Sequence, residues 1–345
     1  MNYRILGQTH IKVSVLSFGA WQLGDSKYWG EDCATDADAT VHAAIDNGIN
    51  LFDTAEVYGD GESERVLGKI LGSKRKDIIL ASKVLPDHCA PENLRKSCEA
   101  SLQRLGTDYI DLYQIHWPYA ADAYTNAKGE TVPGVCAYEE TQATLQELQD
   151  EGKIRAIGVS NFGRTDLESW CQTGECITNQ IGYNMLFRAP EYDVIPTCRK
   201  QGIGVMAYMP LMQGLLSGDY FEIDDIPLMR RRTRHFASQR EGTRHGEPGH
   251  EALLFETLAI LRAFADAVDL PMATLALIYL IAQPGVSTVV LGARKVDQLR
   301  ENLLSGDLTL GPAGMAQLNE ITAPLKQAMG HNADLWQGDS TCRVK

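Results

Sequence analysis

Phe52-Asp53-Thr54-Ala55-Glu56-Val57-Tyr58-Gly59 is the stretch whose reading decides the fold. The apolar residues that lead into it, 49–52, read as a short buried strand. A carboxylate, Asp53, ends that strand, and a phenol, Tyr58, follows within a turn. Two later apolar runs end on Lys83 and on His116. Four polar groups of different chemistry thus stand at the ends of three strand-like runs. Strand ends on one face of a barrel are where such a fold does its chemistry.

Working outward, further strand-like runs occupy 15–19, 78–81, 110–115, 156–159, 178–181, 204–207 and 286–291. Helical periodicity fills most gaps: 36–46, 91–105 between Pro91 and Gly106, 144–152, 189–201, 251–268, 272–283 and 296–304. A last helix starts at Gly311-Pro312 and runs to about residue 321, with an irregular tail after Pro324. Repeated strand–helix units imply a parallel sheet with right-handed crossovers, an α/β fold. Eight such strands fit a closed (β/α)8 TIM barrel better than an open sheet. No Gly-x-Gly-x-x-Gly follows a strand, which argues against a Rossmann domain. Residues 3–14 read as a β-hairpin around Gly7-Gln8-Thr9-His10, and residues 1–345 as a single barrel domain.

Two stretches break the regular spacing. Residues 119–137 form a polar loop with Lys128-Gly129-Glu130 and Pro133-Gly134. Residues 211–249 are longer and carry Arg230, Arg231, Arg232, Arg234, Arg240 and Arg244. Loops of this length are usually functional or disordered, and both follow strands on the face that carries Asp53, Lys83 and His116. The second reads as a lid that orders over a bound anion, with its arginines as candidate partners.

Composition narrows the function. Hydrophobic residues make up 44% of the 345 residues, enough for a sizeable core. A net charge of −13 argues against nucleic acid as the main partner, while an anionic small molecule needs only a local positive site. No apolar run reaches the ~18 residues of a membrane span, and the N-terminus lacks a secretion-signal pattern. The eight cysteines, Cys33, Cys89, Cys98, Cys136, Cys171, Cys176, Cys198 and Cys342, include no Cys-x-x-Cys pair. Free thiols in a cytoplasmic protein are therefore the expectation, and no metal.

The four strand-end groups suit proton transfer to a carbonyl oxygen. A free tyrosine titrates at about 10, and a nearby ammonium lowers that value. Lys83 can supply the charge, Asp53 can orient Lys83, and His116 can donate a hydrogen bond to the carbonyl. Trp21, Tyr28, Trp29, Trp117 and Tyr119 could make an aromatic pocket around them.

The arrangement resembles the aldo-keto reductase family. Asp53-Thr54-Ala55-Glu56-Val57-Tyr58-Gly59 is similar to its Asp-to-Tyr signature, Ala81-Ser82-Lys83 to its lysine strand and Ile115-His116-Trp117-Pro118 to its histidine strand. Gly158-Val159-Ser160-Asn161-Phe162, Gln180 with Tyr183-Asn184, Tyr208 with Pro210-Leu211, and Gly292-Ala293-Arg294 ahead of Gln298 and Glu301-Asn302 continue the likeness in order, over roughly residues 3 to 322.

The resemblance implies an NADP(H)-dependent oxidoreductase interconverting an aldehyde or ketone and its alcohol. Asp53, Tyr58, Lys83 and His116 would be the catalytic residues, with Tyr58 moving the proton. The hairpin would plug the barrel's N-terminal end. Gly19, Ala20, Trp21, Asp53, Ser160, Asn161, Gln180 and Tyr208 would surround the nicotinamide. Pro210, Leu211, Gly214, Leu216, Gly292, Arg294, Gln298, Glu301 and Asn302 would hold the rest of the cofactor. Trp21, Tyr58, His116 and Trp117 would meet a small-molecule substrate. The resemblance also reaches the potassium-channel β subunits, which keep the barrel and bind cofactor while serving as partners. A barrel aldolase with Lys83 as Schiff base is a third reading. Homo-oligomerisation is left open.

Overall fold

The computed structural model describes residues 1–30, 35–125 and 131–345. Cys33 and the Lys128-Gly129-Glu130 segment lie outside the described residues. Strands β1 (Tyr3–Ile5) and β2 (Lys12–Ser14) pair antiparallel as the expected hairpin. The parallel barrel strands are β3 (Leu16–Gly19), β4 (Leu51–Asp53), β5 (Ile79–Val84), β6 (Leu112–Ile115), β9 (Ile157–Ser160), β10 (Thr178–Gly182), β11 (Gly204–Tyr208) and β12 (Val286–Leu291). They close into one ring in the order β3-β4-β5-β6-β9-β10-β11-β12, the TIM barrel expected from the alternation. Between them run α1 (Ser26–Trp29), α2 (Ala37–Asp46), α3 (Glu62–Leu71), α4 (Pro91–Leu105), α5 (Tyr138–Asp150), α6 (Arg164–Trp170), α7 (Val194–Gln201), α8 (Glu251–Ala267) and α9 (Met272–Ile281). Helices α10 (Val296–Leu303) and α11 (Pro312–Met329) follow the last strand. Among the described residues no single helix is long and apolar enough to cross a membrane.

The interior layer of the barrel explains how the site is placed. Leu51, Ala81, Leu112, Ala156, Met206 and Val290 form one buried cluster with Leu6 and Val13 of the hairpin, which therefore seals the N-terminal end. Side chains alternate along a strand, so positions two further on also face the barrel axis. Those positions are Asp53, Lys83, Gln114, Gly158, Tyr208 and Gly292, and His116 and Ser160 lie two beyond Gln114 and Gly158. The apolar floor thus fixes a polar layer directly above it.

Four elements differ from the sequence expectation. Helix α5 starts at Tyr138, six residues before 144, because Tyr138 packs its ring against Phe162 and Trp170. Residues 119–137 contain a short antiparallel pair, β7 (Tyr124–Thr125) and β8 (Thr131–Val132). The 189–201 region is a 3-10 turn at Ala189–Glu191 followed by α7. Pro196 is tolerated there only in a helix's first turn, where its missing N–H is not needed. Helix α11 runs through Pro324 to Met329, because Leu318, Thr322, Leu325 and Met329 bury one face. That burial outweighs a proline penalty of ~3 kcal/mol.

The 211–249 loop is ordered by its own bonds rather than left irregular. It holds 3-10 turns at Met212–Ser217, Ile223–Asp225 and Leu228–Arg230. Ile226 and Phe236 are fully buried. His235, also fully buried, ties the loop to the barrel: its Nε2 lies 2.9 Å from the Leu186 carbonyl and its Nδ1 3.2 Å from the Thr233 hydroxyl. The neutral ring donates to the carbonyl and accepts from the hydroxyl. Burial lowers its pKa from 6.5 to about 4, with the positive charge of Arg234 adding and the Leu186 carbonyl opposing.

Below pH 6.5 the unfolded chain takes up a proton that folded His235 refuses. This stabilisation is full above 6.5 and is lost as pH falls toward 4. The loss amounts to about 3 kcal/mol. Urea unfolding near neutral pH and near pH 4 should show a smaller difference for His235→Gln than for the parent; equal differences would count against this anchor.

Candidate active site

Asp53 ends β4 and Lys83 lies near the end of β5, two residues past Ala81, the residue paired with Asp53. Both point inward, and the lysine is completely enclosed. Its Nζ reaches the Asp53 carboxylate at 2.7 Å, the Thr54 carbonyl at 2.9 Å and the Tyr58 hydroxyl at 3.2 Å. The ammonium's three protons are thereby all directed. The other Asp53 oxygen accepts from the side-chain amides of Gln180 at 2.7 Å and Gln114 at 3.3 Å. Burial works against the charge on Lys83, but Asp53 and Tyr58 more than offset it, and its pKa is raised.

The turn that carries Tyr58 is fixed by close backbone approach. Gly59 is left-handed, and a side chain there would run into the Gly24 carbonyl. Tyr58 therefore rests beside Trp21, whose ring lies 5.8 Å away and nearly parallel. Its phenol pKa departs from the sequence expectation. Burial raises it and Asp53 adds to the rise, while Lys83 lowers it; the net shift is upward. Burial outweighs the pull of the Lys83 charge, and Asp53 offsets part of that pull. Tyr58 is a neutral phenol at physiological pH.

His116 meets the Tyr58 ring edge to face, with centroids 5.8 Å apart. Burial and the Lys83 charge hold its pKa well below 6.5, so the imidazole is neutral. Nδ1 is buried without a partner. A stranded N–H costs more than a stranded acceptor, which places the proton on Nε2, the nitrogen left for the cavity.

These groups form the floor of a cavity of about 890 Å³. Asp53, Tyr58, His116, Trp117, Gly19, Trp21, Ser160, Asn161, Gln180, Tyr208, Pro210, Leu211, Gly214, Gly292, Arg294, Gln298, Glu301 and Asn302 all line it. Lys83 stands behind the wall. Ala20 and Leu216 do not reach the cavity; both are fully buried in the apolar core. Tyr119 turns away as well, bonding Thr141 and packing on Tyr138. Trp21, Tyr28, Trp29 and Trp117 do line the cavity, with Tyr28 stacked on Trp21 at 4.7 Å.

Ser160, Asn161 and Tyr208 are linked. The Ser160 hydroxyl donates to the Gln180 carbonyl, Asn161 donates to the His116 carbonyl, and the Tyr208 hydroxyl donates to Asn161 Oδ1 at 2.8 Å. Gln180 commits its N–H to Asp53, which leaves Oε1 as an acceptor. The six loop arginines divide by role. Arg231, Arg234 and Arg240 pair with Asp224, Glu247 and Glu251 and hold the loop's shape. Arg230, Arg232 and Arg244 line the cavity.

Sequence reasoning missed Gln114, Gln22, Gln213, Trp336 and Arg343. Gln114 had a signal in being two residues before His116 on the same strand. Gln213, whose amide donates to the Tyr28 hydroxyl, sits in a left-handed turn that sequence does not announce. Trp336 and Arg343 come from a tail whose path only tertiary packing sets.

Among the described residues the chain is a closed (β/α)8 barrel with a buried Asp–Lys pair under a tyrosine and a neutral histidine at the strand ends. An aldo/keto reductase family model matches residues 15–323. The chain belongs to that family. It is 34% identical over 336 residues to the aldo-keto reductase YhdN of Bacillus subtilis, covering 93% of each. It is 31% identical over 342 residues to the NADH-specific methylglyoxal reductase of Escherichia coli, covering 93% of this chain and 98% of that one. The structure of an aldo/keto reductase from Klebsiella pneumoniae in complex with NADP and acetate superposes with a TM-score of 0.70 at 28% identity, covering 92% of this chain and 94% of that one.

Removing Lys83 would leave the buried Asp53 carboxylate without its cation. Lys83→Met should destabilise the protein by about 3–5 kcal/mol in urea unfolding. Adding Asp53→Asn should restore much of that loss. A single variant as stable as the parent would contradict the buried ion pair.

Proposed function

We propose that the protein is an oxidoreductase that interconverts an aldehyde or ketone and its alcohol, using NADP(H), with Tyr58 moving the proton. The observation that carries this reading is the Tyr58 hydroxyl, in contact with the Lys83 ammonium, at the floor of the cavity beside neutral His116.

The cavity fits an elongated anionic dinucleotide. Arg230, Arg232, Arg244 and Arg294 provide cations for phosphates. A Cβ on Gly292 would press on the Gln22 amide, so the bare backbone keeps that wall open. The Gln213 Oε1 and Arg232 Nε atoms are buried without partners. At the other end the side-chain oxygens of Ser160, Asn161 and Gln180 are placed to accept from the amide group of a carboxamide, their recorded donors being turned to the protein, and Tyr208 offers a ring face. The bound nicotinamide supplies or accepts the hydride.

The chain's own residues handle the oxygen and the proton. His116 Nε2–H donates to the carbonyl oxygen and polarises it. Tyr58 passes its phenolic proton to that oxygen, and the resulting phenolate rests beside Lys83. The low pKa of His116 keeps it a neutral donor across physiological pH. The raised pKa of Tyr58 keeps the proton available for reduction. Reduction should therefore run flat through neutral pH and fall only above 10, while alcohol oxidation, which needs the phenolate, should rise with pH.

A panel of carbonyl compounds, methylglyoxal among them, followed by consumption of reduced cofactor, is the test. Tyr58→Phe should lose nearly all turnover while still binding cofactor; near-parent rates would refute the assigned proton donor. NADPH should be preferred over NADH because Arg294 is exposed at the start of α10 and, among the described residues, bonds only the Trp29 carbonyl. A charge-assisted bond contributes roughly 1.5–3 kcal/mol. Arg294→Ala should therefore weaken NADPH about tenfold or more and NADH little, by titration with both; equal losses would show that Arg294 does not read the extra phosphate.

A further inference from the structure

Around Tyr58 and His116 the cavity wall is aromatic: Trp21, Tyr28, Trp29, Trp117 and Trp336. Arg230, Arg232, Arg244 and Arg294 were assigned above to phosphates. Arg343 is the remaining arginine of the lining, and it belongs to the tail that follows α11. Its guanidinium carbon lies over Trp117, the neighbour of His116, at 3.7 Å from the ring centre.

The tail that carries Arg343 is built rather than loose. Asp334 is fully buried, and its carboxylate accepts from the backbone N–H groups of Trp336, Gln337 and Arg343. It also takes the Arg343 Nε at 2.8 Å and Nη2 at 3.0 Å. Arg234 of the long loop clamps the same segment through the Met329 and Asn332 carbonyls. Arg343 is therefore held by two bonds on one edge and a ring beneath. Its Nη1 has no partner among the described residues, and the side chain keeps 31% exposure. A planar fork with one free edge, over an aromatic ring, is a preorganised site for a carboxylate. Asp334 offsets part of the charge, yet the free N–H donors remain.

We infer that Arg343 is a specificity residue and that the favoured substrates are carbonyl compounds bearing a carboxylate. The carboxylate meets Arg343 Nη1 while the carbonyl oxygen meets Tyr58 and His116. The carboxylate is not at the reacting carbon, so the contact is the same in ground and transition states and acts mainly through KM. This inference rests on the carbonyl-reducing reading above.

The experiment compares matched pairs with NADPH: benzaldehyde against para-carboxybenzaldehyde, and butanal against succinic semialdehyde, which differ in span. The parent should show the higher kcat/KM for the acid of at least one pair. Arg343→Gln should raise KM for that acid about tenfold more than for its neutral partner, and Arg343→Lys should recover part of the preference. In the parent the preference should shrink as salt is added, a reading that stands even if Arg343→Gln fails to fold. Turnover of the neutral aldehydes with no preference for either acid, a salt-insensitive preference, or an equal loss on both members of a pair overturns the role of Arg343 and leaves carbonyl reduction intact. Turnover of none of the four overturns both readings.

Discussion

The buried ion pair between Asp53 and Lys83 is the constraint on which the rest of the site depends. A lysine with no solvent exposure keeps its charge only when every proton has an acceptor. Here the acceptors are Asp53, the Thr54 carbonyl and the Tyr58 hydroxyl. The carboxylate is in turn held by Gln180 and Gln114. The network therefore fixes the ends of β4, β5, β6 and β10 relative to one another. It also sets the polarity of the site. Lys83 aligns Tyr58 through a hydrogen bond and pulls its pKa down, but burial outweighs that pull and Asp53 offsets part of it. Burial raises the phenol and depresses the imidazole, and both groups stay neutral in the same cavity.

Around that network the fold supplies walls of different kinds. The hairpin and the inner apolar layer close the barrel from below. The 211–249 loop is held by arginines paired with its own acids and by the neutral His235. It presents other arginines to the cavity. The tail after α11 reaches the opposite wall because Asp334 folds it around its own backbone and Arg234 fastens it to the loop. One loop thus shapes both ends of the cavity.

Much of this was legible in the sequence because it follows from local chemistry. Apolar runs ending in Asp53, Lys83 and His116 announce strands whose last inward positions are polar, and the alternation with helical stripes announces a closed parallel barrel. What was not legible depends on distant packing. Helix α11 runs through Pro324 because its far face is buried, and the two segments of 189–201 separate because Pro196 needs a first turn. Ala20 and Leu216 belong to the apolar core, and Tyr119 turns to Thr141; a strand-end position alone does not tell which way a loop side chain turns. The six loop arginines look alike in sequence and differ only in whether an acid stands opposite. The direction of the Tyr58 shift was misread for a related reason: burial is a property of the whole fold, and it outweighs one nearby charge.

The central claim is that the Asp53–Lys83 pair presents Tyr58 as a neutral proton donor. Carbon-13 labelling of tyrosine at Cζ, with Tyr58 assigned by its absence in Tyr58→Phe, reads that protonation state directly in the intact protein by NMR. The Tyr58 signal should stay at its phenol position up to pH 10 and move only above it. A phenolate signal for Tyr58 at neutral pH would contradict the account.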